Sequence, residues 1–195
     1  MDSKQADHVG LLLREFRLPT MASLYEPMVA QAEAEGWSHR RLMQQLCQSE
    51  ATDRQERRVQ RLLADAGLPD GKRLETLEEA DLPTKVRRQL PGLLSGGFVE
   101  RSTNVLAFGL PGRGKSHFLA AVGRELILRH GMRVLFRPTF KLVSQLLVAK
   151  RDLRLEAELR KLDRYEVVIL DDIGYVQQSR EEMEVLFTFL AERYE

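Results

Sequence analysis

Eight consecutive residues, Gly109-Leu110-Pro111-Gly112-Arg113-Gly114-Lys115-Ser116, carry the spacing G-x-x-x-x-G-K-[ST]. Triphosphate oxygens require many short donors, and a glycine-rich loop turns successive backbone N–H groups inward with no side chain in the way. At this spacing Lys115 reaches the β- and γ-phosphates, which makes it a candidate catalytic residue, and the Ser116 hydroxyl is placed to ligate Mg²⁺. A following helix would aim its positive end at the anion. With glycine at about 7% of average usage, chance produces such a match on the order of once in a hundred chains of this size.

The flanking residues supply the setting that the loop requires. Asn104-Val105-Leu106-Ala107-Phe108 reads as a buried strand entering it. His117 to His130 carries a helical apolar pattern (Phe118, Leu119, Val122, Leu126) that stops at Gly131. Further on, Arg133-Val134-Leu135-Phe136 reads as a second strand, followed by helices over 140–150 and 153–162. Val167-Val168-Ile169-Leu170 then runs into Asp171-Asp172, an apolar strand ending in two carboxylates where an open α/β sheet binds its ligands. Asp171 is the candidate Mg²⁺ ligand, through water, and Asp172 the candidate general base for an attacking water. Ser179 and Glu182 form a capping box for a last helix with Met183, Leu186, Phe187 and Leu190 on its apolar side.

Composition excludes other classes. The chain has 195 residues, 43% hydrophobic and 30% charged, with a formal charge of +1, so any basic surface is local. The single cysteine, Cys47, rules out an internal disulfide framework and is expected as a small core residue. No apolar run approaches the ~20 residues of a membrane span, and the polar start (Met1-Asp2-Ser3) does not resemble a signal peptide. A cytoplasmic location is expected, without a membrane partner.

Ahead of the loop, the pattern predicts an all-α N-terminal module. A helix over 7–18 stops at Pro19, Thr20 caps the next, and Pro27 should bend or split it. Trp37 is expected as a core anchor. Ser38 opens a long helix to Ala66 on which Arg54, Arg57, Arg58 and Arg61 fall three or four apart and share one side. That ridge suits phosphate contacts on DNA. It equally suits a solvated face, since Glu50–Arg54 and Asp53–Arg57 are ready i,i+4 pairs. Another helix opens at Pro83 and closes at Pro91-Gly92. The predicted organisation is a helical module over 1–75, a connector over 76–97 and a nucleotide domain over 98–195.

From Phe98 onward the chain resembles the IstB-like branch of the AAA+ ATPases, relatives of the DnaC helicase loader and the DnaA initiator. Asn104-Val105-Leu106, Gly114-Lys115-Ser116-His117 and Asp171-Asp172-Ile173-Gly174-Tyr175 carry the resemblance. Leu18-Pro19-Thr20-Met21, Glu50, the four arginines and Ala66 extend it across the N-terminal half. The resemblance implies an α/β P-loop NTPase of the AAA+ type, a parallel sheet with helices on both faces, binding ATP and Mg²⁺ with Gly109 to His117 around the phosphates. It implies an ATP-dependent helper of insertion-sequence transposition that oligomerises on DNA and assists the transposase of its element. Two other readings stay open: a non-catalytic protein that binds DNA or full-length siblings, and a DnaC-like replicative helicase loader.

The sequence departs from that family in two places. Arg113 stands where the family has threonine or a small residue, and is expected to point to solvent. More seriously, only three of five expected strands are present, over 104–108, 133–136 and 166–171. In the AAA+ order the missing fourth strand lies between the first and third. The remaining strands then close on each other, or another segment fills the slot, or the chain is a fragment of a longer or decayed gene. The sensor strand and the arginine finger are missing with it. Because such an arginine is worth roughly a thousandfold or more in phosphoryl transfer, weak nucleotide binding and very slow hydrolysis are expected.

Overall fold

The structure, a computed structural model, describes residues 3–78, 80, 82–175 and 179–194. Met1, Asp2, Glu79, Asp81, Val176, Gln177, Gln178 and Glu195, which fall within the expected N-terminus, connector and nucleotide domain, lie outside the described residues. The chain forms two compact units, Met1–Gln60 and Arg61–Glu195, and their boundary falls inside one long helix.

In the first unit, α1 (Ser3–Glu15) and α2 (Pro19–Ala34) precede α3 (His39–Asp65). Pro19 is the first residue of α2, where its missing N–H would have had no intrahelical acceptor. Thr20 therefore lies inside the helix and is not its cap. The first-turn donors are satisfied from α3 instead: Glu50, only 4% exposed, accepts from Thr20 N at 2.9 Å and Met21 N at 3.1 Å. Arg54 and Arg57 approach the other Glu50 oxygen at 3.4 and 3.2 Å, so the buried carboxylate is neutralised where it caps. Arg54 also donates to Arg17 O at 3.0 Å, at the turn between α1 and α2.

Three further expectations meet the structure in this unit. Of the two outcomes expected for Pro27, splitting does not occur: α2 runs through it, with Pro27 on the exposed side. Cys47 is exposed, since the buried stripe of α3 runs through Leu46 and Glu50, one residue out of phase with it. Trp37 is a surface clasp: its indole N–H donates to Glu35 at 2.7 Å, and the Arg41 guanidinium lies 4.2 Å from its ring centre.

The second unit contains α4 (Thr84–Leu94), α5 (Gly97–Glu100), α6 (Lys115–His130), β1 (Val134–Pro138), α7 (Thr139–Arg151), α8 (Leu155–Leu162), β2 (Val167–Asp171) and α9 (Arg180–Tyr194). Pro91 does not close α4, which runs on to Leu94. Among the described residues the sheet is β1 and β2 alone, paired in parallel from Val134↔Val167 to Pro138↔Asp171. Leu135 faces a core built with Leu142, Leu146, Leu159, Val185 and Phe189 of the helices that follow. Val134 and Ile169 face α6, so both faces of the sheet are covered.

Contact with α6 is set by Gly123. A Cβ there would lie 2.7 Å from Ile169 Cδ1 and 3.3 Å from Val134 Cγ1, so any side chain at this position makes the end of Ile169 move aside. The helix ends as its sequence predicts, with Gly131 at φ 63° and its N–H bonded to Ile127 O at 2.9 Å. The capping box of α9 also forms, Ser179 N to Glu182 Oε2 at 3.2 Å and Glu182 N to Ser179 Oγ at 3.3 Å. Its buried side, however, is Val185, Leu186 and Phe189, while Met183, Phe187 and Leu190 are exposed.

The largest correction concerns Asn104–Phe108, which forms no strand. Leu106 is 75% and Phe108 89% exposed. An isolated strand leaves its amides and carbonyls without neighbours, and β2 is the inner partner of β1, not of this run. The flanking strands have not closed on each other, and no other described segment takes the place between them.

Two stability measurements test these contacts. Gly123→Ala gains about 1 kcal/mol of helix propensity and loses a similar amount to overpacking, so its unfolding free energy should stay within about 1 kcal/mol of the parent. Gly123→Val only loses and should cost about 2–3 kcal/mol in urea titration. In the first unit, Glu50→Ala orphans two buried N–H groups and removes the carboxylate that Arg54 and Arg57 share, and should cost about 3 kcal/mol, with Glu50→Gln costing less.

Candidate nucleotide site

The N-terminus of α6 is the hub of the site. Gly112 and Gly114 adopt φ of 74° and 75°, with nothing within 4 Å of a built Cβ, so backbone conformation alone calls for glycine. Gly114 is the N-cap of α6 and Gly114 O accepts from Phe118 N at 2.8 Å. The N–H groups of Lys115, Ser116 and His117, in the first turn, have no intrahelical acceptor by geometry and are donors for an anion.

Three consecutive side chains leave that turn in three directions. The Lys115 ammonium donates to Gly109 O at 2.8 Å and Leu110 O at 2.9 Å, folding over the loop's own carbonyls. The Ser116 hydroxyl donates to Asp171 Oδ1 at 2.7 Å. The His117 ring turns toward the segment 71–77, with Nε2 3.0 Å from Thr76 Oγ1 and 3.1 Å from Arg73 O. Of the expected phosphate residues, His117 thus directs its side chain elsewhere, leaving its backbone N–H for an anion. Leu110, Pro111 and Arg113 are exposed.

Asp171 is positioned by the sheet register, which ends β1 and β2 together at Pro138↔Asp171. Thr139, fully buried at the start of α7, donates its hydroxyl to Asp171 O at 2.7 Å. That contact was missed in the sequence, where the only signal was a β-branched hydroxyl residue directly after the second strand. The next residue, Asp172, is exposed at φ 56°, and no described group holds its carboxylate.

A hydroxyl and a carboxylate oxygen a hydrogen bond apart are the hard donor set that Mg²⁺ takes. Among the described residues no cluster of three or more His, Cys, Asp or Glu side chains could hold a metal by itself. A cation here would complete its shell with phosphate oxygens and water, as Mg²⁺ does. Ser116 and Asp171 fit that requirement.

Of the arginine ridge, Arg54 and Arg57 are engaged with Glu50, while their side chains remain 59% and 48% exposed. Arg58 and Arg61 are exposed on the same helix. Among the described residues no helix is long and apolar enough to cross a membrane.

Comparison with known proteins agrees with this geometry. Residues 11–195 match the family described as IstB-like ATP binding protein. The chain is 40% identical over 188 residues to an insertion-sequence ATP-binding protein of Sinorhizobium fredii, covering 96% of this chain and 63% of that one. It is 36% identical to the insertion sequence IS21 ATP-binding protein of Pseudomonas aeruginosa, covering 95% and 69%. It is 32% identical to the IS5376 counterpart of Geobacillus stearothermophilus, covering 91% and 70%. The chain therefore spans less than two thirds of the Sinorhizobium relative's length. The helix-rich α/β fold with its small parallel sheet is consistent with that match, and the chain belongs to the IstB-like ATP-binding protein family.

Proposed function

We propose that this chain binds ATP with Mg²⁺ in the loop Gly109–Ser116 and serves as an ATP-dependent helper of insertion-sequence transposition. In this reading it assembles with further copies on DNA and assists the element's transposase. The observation that carries the nucleotide part is the 2.7 Å bond between Ser116 and Asp171 at the N-terminus of α6. Residues 55 apart in sequence meet there because the start of α6 and the end of β2 converge on one point.

Each residue has a separable role. The loop amides and the first-turn N–H groups of α6 hold phosphate oxygens. Lys115 exchanges two neutral carbonyls for charged phosphate oxygens, which accept more strongly. Bound Mg²⁺ supplies neutralisation of the phosphate charge and orients the triphosphate, held by Ser116 and, through water, Asp171. Asp172 stands one residue farther out, where its carboxylate would accept a proton from an attacking water. The arginine ridge supplies DNA contacts, with Arg54 and Arg57 doing so while neutralising Glu50. The names of the similar proteins, all insertion-sequence ATP-binding proteins, support the transposition setting.

One observation favours a second reading, in which the chain is a non-catalytic partner of longer siblings. The run Asn104–Phe108 enters the loop unpaired and exposed, so the cradle lacks the strand that would brace it.

Fluorescent ATP titration of the chain tests the first reading. Binding should require Mg²⁺ for full strength and fall at least about a hundredfold in Lys115→Ala, the scale of losing a charge-assisted contact with several oxygens. Equal retention by both proteins would refute it. DNA retention should rise with ATP, weaken steeply with salt, and fall in Arg58→Ala without loss of ATP binding. Mixing separates the two readings. If the chain is a non-catalytic partner, adding it to a full-length relative lowers that relative's DNA-stimulated ATPase in proportion to the amount added. An unchanged rate disposes of the second reading.

A further inference from the structure

The contact of His117 with the turn Gly71–Leu77 is not used by any step above, yet it starts one residue from Ser116. The turn is tightly built. Thr76 Oγ1 donates to Gly71 O at 2.7 Å and accepts from Arg73 N at 3.1 Å, and Leu77 N bonds to Leu74 O at 3.1 Å. Gly71, at φ 76°, makes the reversal possible. Because a carbonyl only accepts, the 3.1 Å approach to Arg73 O requires the proton on His117 Nε2. The Thr76 hydroxyl has Gly71 O at 2.7 Å and Arg73 O at 3.0 Å as acceptors for its one proton, which leaves its oxygen to accept from His117. A single ring N–H thus fastens a self-contained turn to the first turn of α6.

We propose that His117 is a positioning residue that couples occupancy of the phosphate loop to the turn Gly71–Leu77. The inference rests on the nucleotide-binding reading and names a regulated element of that same site. Lys115, Ser116 and His117 share one helical turn, so an anion that draws in the Lys115 ammonium and the first-turn N–H groups fixes the base from which the His117 ring projects. The turn follows because, among the described residues, this N–H is its side-chain bond to α6. With the loop occupied, His117 is held in the rotamer that reaches Arg73 and Thr76, and the turn is clamped. With the loop open, the clamp opens more often.

The turn carries its own reporter, since Lys72 and Arg73 are trypsin sites within it. Cleavage after these residues is measured by mass spectrometry on the 195-residue chain, with and without a saturating non-hydrolysable ATP analogue and Mg²⁺. The analogue should slow cleavage of the parent by about fivefold or more, the low end of ordinary coupling between sites. Thr76→Val should keep nucleotide affinity within about twofold and at least halve that protection ratio, since it removes one of the two acceptors of the His117 N–H and leaves Arg73 O. His117→Ala, at verified saturation, should lose the ratio, and His117→Gln, which returns an N–H at a similar reach, should restore most of it. A purely structural role would speed cleavage in both states and leave the ratio unchanged, which overturns the proposal. So does a parent chain that binds the analogue but is cleaved at one rate throughout. Failure of the ATP reading looks different, because the titration then shows no binding at all.

Discussion

The hydrogen bond from the Ser116 hydroxyl to the Asp171 carboxylate is the contact around which the second unit is arranged. It requires the start of α6 and the end of β2 to arrive at one point, and three features of packing bring them there. Gly123 lets α6 lie against Ile169 and Val134 with no intervening side chain. The parallel register ends both strands at Pro138 and Asp171. Thr139, buried at the next position, holds the Asp171 carbonyl and so fixes the carboxylate's point of departure. Each of these contacts restricts where Ser116 and Asp171 can be.

The same sheet accounts for what the site lacks. A parallel pair is covered on both faces here, by α6 and by the α7–α9 core, but its lateral edge is a separate matter. The apolar run Asn104–Phe108 has strand composition, but among the described residues no strand pairs with it. Burial alone does not recruit it, because an extended segment brings unpaired amides wherever it goes. Phe108 is 89% exposed, and the loop Gly109–Ser116 is bridged from α6 by the Lys115 ammonium on Gly109 O and Leu110 O.

The first unit shows how one buried charge can organise a small helical module. Glu50 takes the place of an N-cap for α2 from a different helix, which ties α2 to α3 through backbone donors that every sequence has. Its charge then has to be balanced, and Arg54 and Arg57 do so from one and two turns along α3. A ridge of arginines on such a helix is consequently both a structural counter-charge and an available basic surface, and the two roles do not exclude each other while half of each side chain stays exposed.

By itself the sequence determined the local chemistry: the glycines of the phosphate loop, the lysine and serine after them, the Gly131 helix end, the Ser179–Glu182 capping box and the apolar strand ending in Asp171. These are legible because each depends on neighbours within a few residues, through backbone φ, helix-end donors or side-chain spacing. Only the tertiary structure decided that Thr20 and Met21 are capped by Glu50, that His117 faces Thr76 and Arg73, and that Thr139 secures Asp171, partners separated by 29 to 44 residues. It also decided which side of α9 and α3 is buried, since an amphipathic stripe two faces wide does not state which face meets the core. Whether Asn104–Phe108 is a strand was likewise beyond its own residues, because a strand is a property of a pair of backbones and the second backbone is not local.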